Sequence, residues 1–332
     1  MTIVVTGASG HVGANLVRLL LERGHTPRVL VHKDQRALHG LDVEVVNGDI
    51  RDLASLEKAF AGGTTVFHLA ALISLLMDEW PLLEAINIRG TENVLRACQS
   101  CGVKRLVHFS SIEALSPVPL DEPLDESRAF NTRRQATPYG RSKAAAERLV
   151  RRAIDEGANA VILNPSAMIG PNDFGPSAMG RVLLDLAARK LPALINGGFD
   201  WVDIRDVVRA AMTAAEEASP GSRYLLSGHW RSLSALAEIV RSIIGVAPPA
   251  FVCPMWLARA GAPFAEFGAK LTGKRPRYSR ASLRAIRGNR NISHAKATAE
   301  LTYQPRPLEL TIADTFAWMR DNGYLATTEL TA

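Results

Sequence analysis

The 332-residue sequence predicts an α/β protein built on a doubly wound parallel sheet, with a smaller lobe towards its C-terminus. Three observations predict it. Short apolar runs alternate with amphipathic runs of helical period from Ile3 to Leu163, and a glycine-rich turn joins the first strand to the first helix. Beyond Gly170-Pro171 the composition shifts to loop formers: Asn172, Asp173, Gly175, Pro176 and Gly180. The length accommodates one large α/β domain and a smaller one, and 47% apolar with 22% charged residues is a globular balance.

Ile3-Val4-Val5 is the first strand, and Asn15 to Glu22 continues an amphipathic helix. Between them lies Thr6-Gly7-Ala8-Ser9-Gly10-His11-Val12-Gly13. A helix that starts here points unpaired N–H groups and the positive end of its dipole at an anion. Gly7 takes the turn, Gly10 lets the chain approach a pyrophosphate, and Gly13 lets helix and strand close up. The spacing is Gly-x-x-Gly-x-x-Gly, and its place after a strand marks a dinucleotide site, with Ser9, His11 and Val12 in the same turn.

Pro27 to Val31 is the second strand, followed by His32 and Lys33, with Arg36 close behind. An acid here would bind a ribose 2′-hydroxyl, whereas cations suit a 2′-phosphate. NADP(H) is therefore expected over NAD(H). Asp34, one loop shift from the ribose, keeps NAD(H) open. The third strand, Val43 to Val46, leads into Asp49, placed to accept from an adenine amino group, and Ile50; Asp52 is the better helix cap. Val66 to Ala71 is a fourth strand whose end, Leu69-Ala70-Ala71, lets a flat cofactor lie against the backbone. His68 reads as a packing histidine, having no partner at metal-ligand spacing. Glu84 to Ser100 is helical, and Cys98 and Cys101 at its tail lack the helix start that favours a thiolate.

The fifth strand, Arg105 to Phe109, ends in Ser110-Ser111, at the sheet edge where ligands bind. Thr137 caps a further helix with Pro138 at its first position, so Tyr139 and Lys143 lie one above the other. A free phenol has a pKa of about 10. A nearby ammonium and an oxidised nicotinamide would favour the phenolate, and lowering the pKa by about three units takes roughly 4 kcal/mol. Tyr139 then exchanges a proton with a carbonyl or hydroxyl oxygen that Ser111 holds, while Lys143 also binds the nicotinamide ribose.

On these residues the chain resembles the extended short-chain dehydrogenases/reductases over essentially its full length. The resemblance rests on the glycine turn, Gly48-Asp49, His68-Leu69-Ala70-Ala71, Asn87-x-x-Gly90-Thr91, Ser110-Ser111 and Tyr139-x-x-x-Lys143. Ser111-Ile112-Glu113 and Asn164-Pro165-Ser166-x-x-Ile169-Gly170-Pro171 are most similar to the branch of dihydroflavonol 4-reductases and 3β-hydroxysteroid dehydrogenases. The likeness implies a Rossmann-type fold and a Ser111–Tyr139–Lys143 triad. It also implies Asn87 supporting the site through a helix kink or water, and Pro165 beside the nicotinamide. A homodimer through helices near 84–100 and 138–155 is implied too. Nucleotide-sugar epimerases and dehydratases, which retain NAD, are the alternative. Their serine strand usually continues Val-Tyr-Gly and the dehydratases carry Asp-Glu, where this chain has Ala114-Leu115-Ser116 and Ile112-Glu113.

The expected division is a nucleotide-binding domain at 1–170, with 200–218 returning to it, and a substrate-binding lobe at 171–199 and 219–325. Within the second half, Arg223 to Leu226 reads as a strand and Ser232 to Ile244 as a helix. Asp203 and Asp206 read as a helix cap and a turn acid, so no metal is expected. The apolar run from Met255 through Phe264, Phe267 and Leu271, broken at Pro263, is expected to pack on the lobe or cover the site, in preference to lying on a membrane surface. Ile73, Glu113, Met168, Phe174 and Trp201 are candidate substrate contacts by placement. The substrate expected is an apolar ketone, aldehyde or alcohol. Lys270, Lys274, Arg275, Arg277, Arg280, Arg284, Arg287, Arg290 and Lys296 fall in a stretch without acid; lacking interleaved aromatics, it reads as a solvated face, not a nucleic-acid site. No run reaches membrane-span length. Three cysteines and a strand beginning almost at Met1 point to a cytoplasmic protein without a secretory signal.

Overall fold

In the computed structural model, which describes residues 2–132, 136–272 and 279–325, seven parallel strands form the main sheet. They are Ile3–Thr6 (β1), Arg28–Val31 (β2), Glu44–Asn47 (β3), Thr65–His68 (β4), Arg105–Phe109 (β5), Ala160–Pro165 (β6) and Arg223–Leu226 (β10). Their order is β10-β6-β5-β4-β1-β2-β3. The winding reverses between β1 and β4, which opens a crevice at the carboxyl ends of those two strands.

Strand residues alternate between the two faces, and helices cover both, which is why the central strands are apolar throughout. Val5, Val31, Phe67, Val107 and Leu163 pack against His11–Glu22 (α1) and Ile204–Glu217 (α7). Val4, Leu30, Val66, Leu106 and Ile162 pack against Leu53–Phe60 (α2), Gly90–Ser100 (α4) and Pro138–Asp155 (α5). Asp52 caps α2 as expected, its carboxylate accepting from the Ala54 N–H. The expected continuation of β4 to Ala71 is absent, because at Leu69 the chain leaves the sheet. The helix expected over 84–100 follows a four-residue turn, Trp80–Leu83 (α3), and opens as a π-helical segment, Glu84–Arg89, before α4 begins.

The lobe has its own core. Ala167–Ile169 (β7), Gly198–Asp203 (β9) and His229–Ser232 (β11) form a three-stranded sheet. Ala178–Ala187 (α6), Leu233–Ile244 (α8) and Leu308–Asp321 (α12) close around it through Leu183, Leu236, Val240, Ile312 and Phe316. Ser232 caps α8. Leu194–Ile195 (β8) pairs with Val252–Cys253 (β12). The expected boundaries shift in three places. β7, inside 1–170, pairs with β9 in the lobe sheet, and β9 belongs there too, so only α7 returns to the main domain. β10 pairs with β6 and Ala295–Leu301 (α11) packs on the main core, although both lie within 219–325.

Met255–Thr272 (α9) runs through Pro263 without a break. Met255 packs on the lobe as expected, but two large apolar residues do not: Trp256 is 71% and Phe264 80% exposed. The side chains of Phe267, Lys270 and Leu271, and the whole of Lys274, Arg275 and Arg277, lie outside the described residues. Arg280–Ala285 (α10) follows, with Ser279 and Ser282 forming a reciprocal cap.

Candidate active site

The glycine turn faces β4 across the crevice. Gly7 has φ +70°, and a Cβ there would stand 2.6 Å from the Ala70 nitrogen. A Cβ on Gly13 would stand 2.3 Å from the Gly7 carbonyl oxygen, so the helix starts pressed against the turn. Gly10 is the N-cap residue of α1, and no side chain caps that end. The first-turn N–H groups of His11, Val12 and Gly13 therefore remain a positive cradle beside Ser9. These residues fit a dinucleotide pyrophosphate. His11 Nε2 donates to the carbonyls of Gly170 and Pro171, tying the cradle to the loop that enters the lobe. Ile50 is buried against Gly90 across from the turn.

At the end of β2, His32 is half-exposed, and Lys33 and Arg36 are exposed. Arg36 grips both oxygens of Asp34, and hydrogen bonding to Arg36 lowers the Asp34 pKa. Asp34 is thus not a free acceptor. Asp49, expected to receive an adenine amino group, is engaged on both oxygens by Arg51, which lowers its pKa, and lies 3.4 Å from His32 Nε2.

The catalytic candidates converge at the carboxyl end of β5. Thr137 caps α5 by accepting from the Gly140 N–H. Gly140, whose Cβ would meet the Glu113 carbonyl at 2.7 Å, lets that first turn close on the loop after Ser111. Ser111 and Lys143 are buried and Tyr139 half-buried. The Ser111 hydroxyl lies beside the phenol and accepts from the Glu113 N–H at 3.2 Å. Lys143 Nζ donates to the Phe109 carbonyl at 2.6 Å.

The expected lowering of the Tyr139 pKa is not what the protein groups produce. Burial and the neighbouring Glu113 carboxylate push the phenol up, and only the Ser111 hydroxyl pulls it down. Lys143 is directed at the Phe109 carbonyl instead, and burial brings its pKa down to about 8.

Asn87 lies in the π-helical segment, whose widened turn carries its amide to the loop after β4. It accepts from the Leu72 N–H at 2.8 Å and donates to the Leu72 carbonyl and to Ser142 Oγ. The loop after Leu69-Ala70-Ala71 is thereby pinned to α5. His68 is a packing histidine: buried between Thr6 and Thr91 hydroxyls, its pKa falls to about 3. Cys98 is no thiolate either, since burial raises it to about 12. Asp203 caps α7 and pairs with Arg205, while Asp206 binds Arg306.

The substrate candidates scatter. Trp201 is fully buried in the lobe core, its indole N–H donating to the Arg231 carbonyl, and cannot touch a substrate. The Phe174 ring lies under Arg18 of α1 and against Trp318, held away by those contacts. Met168 packs on the main core, and Ile73 is 57% exposed. Glu113 does lie at the site, but its carboxylate accepts from Thr137 Oγ, and burial raises its pKa.

Sequence reading missed one structural chain. Asn164 Nδ2 donates to the Ser111 carbonyl at 3.0 Å and to Glu147 at 2.8 Å, and the buried Glu147 pairs with Arg223 of β10 at 2.6 Å. An arginine opening an otherwise apolar strand is the sequence signal that could have exposed it. Pro165 follows Asn164 at the buried end of β6.

Known proteins are similar to this chain in sequence and fold. The chain is 33% identical to sterol demethylase protein B of Methylococcus capsulatus, covering 98% of this chain and 100% of that protein. It is 32% identical to 3 beta-hydroxysteroid dehydrogenase/Delta 5-->4-isomerase of Mycobacterium tuberculosis, over 68% of this chain and 64% of that one. The crystal structure of gox2253 matches with a TM-score of 0.86 at 34% identity, over 98% and 99% of the two chains. Residues 3–226 match the NAD dependent epimerase/dehydratase family. The chain belongs to that family, the extended short-chain dehydrogenases/reductases, and is one of its NAD(P)-dependent enzymes.

Proposed function

We propose that the protein is an NADP(H)-dependent oxidoreductase interconverting an apolar ketone or aldehyde with the corresponding alcohol. The observation that carries this reading is the meeting of Ser111 and Tyr139 at the carboxyl end of β5, with the Lys143 ammonium one helical turn along the same face. A nicotinamide cofactor held along the Gly7–Gly13 turn and the Leu69–Ala71 loop, towards Pro165, supplies or accepts the hydride. The Ser111 hydroxyl holds the substrate oxygen, and Tyr139 gives it a proton in reduction or takes one in oxidation. Lys143 spends one of its three donors on Phe109, which fixes the ammonium where a ribose hydroxyl can meet another.

The NADP(H) preference rests on His32, Lys33 and Arg36 at the end of β2, and on Asp34 being occupied by Arg36. An apolar substrate is supported by the printed names of the sterol and hydroxysteroid relatives. Assembly as a homodimer through α4 and α5, in a reducing cytoplasm, completes the reading, and sedimentation tests the dimer.

The decisive assay follows the absorbance of reduced cofactor against a panel of apolar ketones and aldehydes, with NADPH and NADH side by side. Stoichiometric oxidation, faster with NADPH, is expected. Turnover confined to a nucleotide sugar with no net change in cofactor would replace this reading with epimerase or dehydratase chemistry. Tyr139→Phe is expected to bind cofactor as the parent does and to lose turnover by about 10²–10⁴-fold, the usual worth of a general acid.

A further inference from the structure

Helix α9 is built inside out. Its small residues face the protein: Ala262 is buried with Ile195 and Leu283, and Ala258 packs beside them. Met255 also packs inward, but three large apolar residues face away, with Trp256 71%, Leu257 41% and Phe264 80% exposed. At about 100° per residue, Trp256, Leu257, Ala260 and Phe264 share an arc roughly 100° wide. Phe251 and Val252, just before the helix, are exposed as well. A monomer in water has no use for such a stripe.

The charge around it is one-sided. Arg259 is exposed on the same helix and joins Arg287 and Arg290 in lining a cavity of about 690 Å³ beside Trp256. Residues 267–299 carry nine lysines and arginines and no acid. The nearest acid on α9, Glu266, is paired with Arg280. An apolar stripe flanked by cations is the pattern of a helix lying in a lipid–water interface, with indole at headgroup depth and arginine stems reaching to phosphates.

We propose that α9 docks the protein on an anionic lipid bilayer surface, with Trp256, Leu257 and Phe264 inserted and Arg259, Arg287 and Arg290 against the headgroups. A second copy of this chain is a poor occupant, because a twofold contact would set the basic segment against itself. The helix lies on the bilayer and does not cross it, since no helix among the described residues is long and apolar enough to span. The inference stands on α9 with the neighbouring Arg287 and Arg290 and does not depend on the reaction proposed above.

The test is co-sedimentation of the full chain with phosphatidylcholine vesicles and with vesicles that also contain phosphatidylglycerol. Binding is expected to be more than about tenfold tighter to the anionic vesicles and to weaken at high salt. Leu257→Ser combined with Phe264→Ser is expected to lose about tenfold or more of that binding, with turnover of a soluble carbonyl compound unchanged. Three outcomes overturn the proposal: no binding to either vesicle, equal and salt-insensitive binding to both, or a double variant that binds like the parent. Self-association abolished by the double variant, without vesicle binding, makes a second copy the occupant and overturns it too.

Discussion

Tyr139 sits between groups that pull its proton in opposite directions. The Ser111 hydroxyl favours the phenolate, while burial and Glu113 oppose it. Glu113→Gln keeps an acceptor for Thr137 and removes the charge, so the pKa assigned to Tyr139 in a pH–rate profile should fall by on the order of one unit. An unmoved profile would take Glu113 out of the account. Gly7 offers a second test at this scale. Its φ of +70° and the 2.6 Å approach of a Cβ to the Ala70 nitrogen leave alanine no room. Gly7→Ala should cost about 1–2 kcal/mol from the left-handed backbone alone, and abolish cofactor binding by titration. Both the turn and the tyrosine–lysine pair were readable from spacing, because helical and turn geometry are local. The tie from Thr137 to the Glu113 carboxylate was not, because it spans 24 residues.

At the scale of elements, the site is a set of rims held in register by polar ties. Asn87 ties the β4 loop to α5, and Asn164 ties β6 to Ser111 and α5. Arg223 brings in β10 by its ion pair with the buried Glu147. Removing one partner strands a buried charge, so Arg223→Met should destabilise by about 3–5 kcal/mol in urea unfolding. Adding Glu147→Gln should recover much of that loss; a double variant as unstable as the single would deny the coupling. Strands and helices of the first half were legible in period and caps, Thr137 included. The π-helical opening at Glu84–Arg89 was not, since the apolar pattern there is that of an ordinary helix.

Across the whole molecule, buried ionisable groups set the pH range of stability. Burial lowers Lys143 from 10.5 to about 8, so between those values the unfolded chain holds a proton that the folded chain has released. Stability should therefore rise with pH through that window, by up to about 3 kcal/mol. Lys143→Met should flatten that rise in thermal unfolding while ending turnover; an unchanged slope would place the titration elsewhere. His68, brought down to about 3, works at the acid side: its contribution is lost as pH falls below the ordinary 6.5 of the free imidazole. The sequence by itself determined the parallel sheet, the glycine turn that opens α1 and the tyrosine–lysine pair, because each is written in residues that neighbour one another along the chain. Only the tertiary structure decided that β10 and α11 join the main domain, that Trp201 is core, that Lys143 turns to Phe109, and that α9 shows its aromatic side to solvent. Those outcomes depend on which distant surfaces meet and what they leave uncovered, and no local period carries that information.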